Sequence, residues 1–171
     1  MHRLLLAAVL LLVLGRWPCP VAAQDLIRGP VTPLDQSSVQ LAVDSRQPLG
    51  QVGEPDGSAS YRLRGWAADL SNPGGPGIRQ IVAYLDGPSD RGRLLGWARV
   101  GLARPDVATV FNDPGLTRCG FELTWPVTEV PPQSEPVHTY MIYLYLDTER
   151  GWVGARLPVA LTLAADSTPE T

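Results

Sequence analysis

Across residues 139–146 the chain alternates Tyr140, Ile142, Leu144 and Leu146 with Met141, Tyr143 and Tyr145. A period of two makes this a β-strand, and side chains that are apolar or aromatic on both faces place it at the centre of a sheet. The rest of the chain must supply flanking strands and short connections. It holds 17 Gly and 17 Pro, which break long helices and favour tight turns, so a helical bundle or coiled coil is excluded. With 44% hydrophobic and 18% charged residues, it has enough apolar material to bury a core.

Six further strands follow from alternation and turn chemistry. Val39–Val43 is the first, followed by a long loop over residues 44–58 that is rich in Gly and Pro. Residues 60–68 alternate again, up to the turn cluster DLSNPGGPG at 69–77. Ile78–Leu85 ends at Asp86-Gly87, a dipeptide suited to a tight turn. Residues 93–101 read as one outer strand with a bulge. Residues 121–127 and 152–163 complete the set, the last interrupted by Pro158, which marks a break or an edge. Between residues 104 and 111, Pro105 at a first helical position, Asp106 beside it, and Val107, Val110 and Phe111 at helical spacing predict one short helical turn. About seven strands separated by turns fit an all-β antiparallel sandwich, with a closed barrel as the alternative.

The N-terminus reads as an export signal. A short basic start (Met1, His2, Arg3) precedes an apolar run over residues 4–15, too short to span a bilayer, and Val21, Ala22 and Ala23 form a signal-peptidase site before Gln24. The expected organisation is a signal peptide at 1–23, an N-terminal arm at 24–38, a sandwich at 39–163 and a C-terminal tail at 164–171. The mature form is expected to be secreted or periplasmic, without a membrane span. Lipidation at Cys19 is not expected, because Pro18 precedes it where a small residue is required. Cys119 then remains alone, which leaves a buried small hydrophobe or an intermolecular disulfide as its readings.

The formal charge is −3, and every one of the 14 basic residues is Arg. No basic face is available to neutralise phosphates, so a nucleic-acid partner is not expected.

Four stretches taken together, GWAAD at 65–69, YLDG at 84–87, GLARPDVATVFNDPG at 101–115 and GFELTW at 120–125, resemble a bacterial immunoglobulin-like (Ig-like) module of secreted and cell-surface proteins. The resemblance covers residues 39–163. It implies an antiparallel Ig-like β-sandwich with a binding, spacing or structural role and carries over no catalytic residue. No second copy of the pattern and no attached enzyme domain is evident, so an accessory role within the same chain is not expected.

Catalytic constellations are sparse. His138 is the one histidine after the signal, and no Gly-x-Ser-x-Gly elbow accompanies it. One His and one Cys cannot build a zinc site of the usual kind. No carboxylate pair stands out to support a hydrolase, which remains the least favoured reading. Calcium is the one metal with candidates, Asp69, Asp86, Asp106 and Asp113, all in expected loops together with Asn72, Asp90 and Asn112. Those residue types also favour turns on their own account. No cofactor is expected.

The sharper candidates are aromatic. Trp66, Trp97 and Trp152, with Tyr143 and Tyr145, offer large apolar faces with polar tips, suited to stacking on sugar rings or seating a partner's side chains. Core packing is the competing role for each. Tyr143 and Tyr145 stand apart, since alternation puts them opposite Ile142 and Leu144. Arg62, Arg64 and Arg99 form a strand row that discourages edge pairing or serves a binding face. The expected function is a non-catalytic module with a binding, adhesion or structural role outside the cell, its partner an extracellular protein or a glycan. A carbohydrate-binding protein with an aromatic platform is the alternative.

Overall fold

The computed structural model describes residues 26–132 and 135–162. The expected signal peptide and the tail at 164–171 lie outside them. Ten strands and one α-helix follow in the order β1 (Val31–Pro33), β2 (Val39–Val43), β3 (Val52–Gly53), β4 (Ala59–Asp69), β5 (Ile78–Leu85), β6 (Arg93–Trp97), β7 (Arg99–Leu102), α1 (Pro105–Phe111), β8 (Gly120–Pro126), β9 (Val137–Thr148) and β10 (Gly151–Thr162).

These strands make two sheets. The first has the order β1-β10-β9-β5-β6, and the second β2-β4-β8-β7 with β3 also paired to β4. Apart from the parallel contact of β1 with β10, the named strands pair antiparallel. The doubly apolar strand is β9, which lies at the centre of the first sheet as its sequence requires. Its Tyr140, Ile142, Leu144 and Leu146 meet Tyr61, Leu63, Phe121, Leu123 and Trp125 of the second sheet in one continuous core. The all-β, two-sheet arrangement therefore matches the sequence reading.

Three segments behave differently from the local pattern. The stretch read as a single outer strand changes sheets: β6 is an edge of the first sheet and β7 of the second, with the Ala98 N–H held by the Ile81 carbonyl at 2.8 Å where the chain crosses. A strand that turns the corner between two layers serves both without a loop. The expected arm contributes β1, whose register sets Val31, Thr32 and Pro33 beside Trp152, Val153 and Gly154. The long loop is pinned at Leu49, which is buried; its N–H donates to the Ala160 carbonyl at 2.7 Å and its carbonyl accepts from the Thr162 N–H at 2.9 Å.

The helical turn forms where Pro105 predicts it. Asn112 closes α1 in the left-handed conformation at φ 50°, a cap that Asn tolerates better than most residues. Val107 of α1 packs with Ala68, Leu116 and Cys119 in a second apolar cluster, flanked by Trp66 and Phe111. No helix among the described residues is long and apolar enough to cross a membrane.

Candidate functional site

Alternation along β5, β9 and β10 puts a second apolar set, Val82, Tyr84, Tyr143, Tyr145 and Trp152, on the outer face of the first sheet. Cross-strand register puts Trp97, Val82, Tyr145 and Gly154 in one row and Leu94, Tyr84, Tyr143 and Arg156 in the next. Val82, Tyr84 and Tyr145 form a third buried cluster there, with Ile27, Leu94, Tyr143 and Trp152 packed against it. The structure thus brings Trp97, Tyr143, Tyr145 and Trp152 onto one face. Trp66 is separate, on the outer side of the second sheet, with its ring edge-on to Phe111 at 5.4 Å between centroids.

Among the described residues, what covers this face is a loop rather than a second layer. Residues 86–92 fold back over the sheet, and the Ser89 N–H donates to the Tyr145 hydroxyl at 3.1 Å. The Asp86 carboxylate anchors the start of the loop by accepting the Met141 N–H at 3.0 Å, and the Gly92 N–H closes it on the Pro88 carbonyl at 2.6 Å. Beneath, Tyr84 and Tyr145 meet edge to face at 5.8 Å. Burial, with a smaller contribution from Tyr145, raises the Tyr84 hydroxyl above its ordinary range, so it stays neutral.

Between this loop and β1 runs a groove of about 300 Å³, with Val31 and Pro33 on one bank, Pro88 on the other and Tyr143, Tyr145 and Arg156 along the floor. Gly154 is what lets β1 lie so close: a Cβ there would come within 2.9 Å of Val31 Cγ1. Tyr143 is half-buried and Arg156 exposed. Among the described residues, Arg156 is the one charged side chain of the groove lining. Sequence reasoning missed Arg156, Pro33 and Pro88. A usable signal existed for the first, since period two puts Trp152, Gly154, Arg156 and Pro158 on one face of their strand.

The calcium candidates go to separate tasks. Asp69, only 3% exposed, accepts hydrogen bonds from Ser38 Oγ at 2.6 Å and Ser71 Oγ at 2.8 Å and pairs with Arg150 at 2.7 Å. Burial opposes its charge, but these hydrogen bonds and the guanidinium together hold its carboxyl below the usual range. Asp86 serves the loop already described. Asp106 hydrogen-bonds to Arg104, which holds its carboxyl down at about 2. Asp113 accepts the Gly115 N–H at 2.8 Å at the start of a 3-10 turn. Among the described residues, no group of three or more His, Cys, Asp or Glu side chains is placed to hold a metal ion.

The remaining candidates are structural in their surroundings. Arg64 and Arg99 flank Glu122 across three strands, at 2.5 and 3.1 Å, and Arg62 approaches it at 4.0 Å. The His138 ring lies 4.6 Å from that of Tyr140. Cys119 is buried as a free thiol, and burial raises its pKa above the ordinary thiol value, which keeps it protonated and unreactive.

No known protein family, curated protein or solved structure matches this chain.

Proposed function

We propose that this chain is an exported, non-catalytic module of Ig-like type that binds a partner through the outer face of its first sheet. The observation that carries the reading is the placement of Trp97, Tyr143, Tyr145 and Trp152 together on a face with no second layer over it among the described residues. Of the six large apolar residues exposed among the described residues, Val31, Trp97, Val137 and Met141 belong to this sheet, and Val31 lines the groove itself. An apolar surface concentrated in this way marks an interaction site more often than a solvated face. The Ig-like assignment draws on the four sequence stretches and the two-sheet arrangement, and export on the basic start, apolar run and small residues before Gln24.

The test is display of the purified chain on glycan and peptide arrays, beside Tyr143→Ala and Trp97→Ala. The expected result is a set of wild-type features whose signal falls about tenfold in Tyr143→Ala, the loss of one well-packed aromatic contact. A wild-type chain that binds nothing on either array, or variants that bind as it does, would overturn the proposal.

A further inference from the structure

Resting on that reading, we infer that the groove takes an acidic sugar: a uronic-acid residue of an exterior polysaccharide, with its carboxylate on Arg156 and its ring against Tyr143. These two residues are direct cross-strand partners of β10 and β9, so their Cβ atoms lie about 5 Å apart on the same face. Neither side chain has a hydrogen bond or ion pair among the described residues. That separates Arg156 from Arg64 and Arg99, held by Glu122, and from Arg150, held by Asp69. A cation with no partner among the described residues, set in a lining whose other described residues are uncharged, is complementary to an anion.

The type of anion follows from what surrounds it. One guanidinium presents a planar fork that matches one carboxylate in a bidentate pair. A phosphate dianion needs further donors, and among the described residues the groove offers no second cation. Next to the fork, the apolar part of the Tyr143 ring and the prolines suit the C–H face of a pyranose. A uronic acid carries both features on one ring. The volume, about 300 Å³, lies at the small end of ligand pockets, the scale of one or two such rings.

A peptide is less well served. Capture by strand addition needs a free edge, and the edge of β10 beside the groove is occupied by β1 as far as Gly154, while Pro158 beyond it has no N–H to offer.

The experiment is calorimetric titration of the full mature chain with hexamers of galacturonate, mannuronate and guluronate, with methyl-esterified hexagalacturonate and cellohexaose as uncharged counterparts. At least one uronate is expected to bind. Esterification and Arg156→Gln should each weaken it about tenfold or more, and Arg156→Lys, which keeps the charge without the fork, should do so less. The inference is overturned if none of the three uronates binds, if the ester binds as well as the acid, or if Arg156→Gln changes nothing. Binding of cellohexaose or of an array peptide that is lost in Tyr143→Ala but kept in Arg156→Gln overturns the acidic-sugar inference and leaves the binding face intact. Ligand binding indifferent to both substitutions overturns the face as well.

Discussion

Asp69 is a carboxylate that the fold has taken out of water and surrounded with donors: two serine hydroxyls, the Ser71 N–H and the Arg150 guanidinium. Ser38 precedes β2, Asp69 ends β4 and Arg150 sits in the β9–β10 turn, so one side chain ties the second sheet to the first. Asp69→Ala removes the common acceptor and is expected to cost about 2 kcal/mol, read from the shift in urea midpoint. The pH dependence has a definite sign. A carboxyl held below its ordinary pKa in the folded state adds stability that is complete above the unfolded value of about 3.9 and disappears as pH falls toward the lowered folded value. Stability of the native chain should therefore decline below about pH 4, and Asp69→Asn should flatten that decline. An acid limb of unchanged slope in the variant would show that other carboxylates set it.

The limits of local pattern are plainest among the strands. β9 was legible because period two leaves no other reading of residues 139–146, and the same alternation separated Tyr143 and Tyr145 from the main core. α1 was legible from Pro105 and the spacing after it. The switch of sheets at Ala98 was not, because the imperfect alternation on either side reads as a bulge in one strand and only pairing with β5 and β8 divides it. Nor was β1, whose partner β10 lies more than a hundred residues away and whose three residues have no period to read. For the site, alternation could group Trp152 with Arg156, but only the β9–β10 register sets Arg156 beside Tyr143. The motif GWAAD gains a physical reason from the pairing of β2 with β4. A Cβ at Gly65 would drive into the Ala42 carbonyl oxygen and the Phe121 ring, so the glycine lets β2, β4 and the core side chain of β8 close on one another. Gly65→Ala is expected to destabilise the chain by about 1 to 3 kcal/mol, the range for overpacking, visible in thermal unfolding; a variant as stable as the parent would mean that β2 yields at no cost.

At the scale of the whole molecule, the question is whether the three apolar clusters fail together or apart. The central core and the cluster under α1 are not joined by side chains alone: β4 gives Ala67 to one and Ala68 to the other, while the strand β8 that carries Phe121 into the core begins one residue after Cys119. The cluster on the outer face of the first sheet shares β5 and β9 with the core in the same way, through Tyr84 beside Leu85 and Tyr145 beside Leu144. A strand cannot leave one side of its sheet and keep the other, so these shared backbones argue for a single cooperative unit. Two probes already in the sequence test this. Trp125 reports the core, where it is fully buried. Cys119 reports the α1 cluster, and in a chain begun at Gln24 it is the one thiol. In a urea titration of a chain that keeps Trp125 as its one tryptophan, with Trp66, Trp97 and Trp152 changed to Phe, the emission change and the labelling of Cys119 by a thiol reagent should share one midpoint. Labelling that runs ahead of the emission change would mean that α1 and the 3-10 turn behind it open as a separate unit of lower stability, and that the sheets alone form the cooperative core.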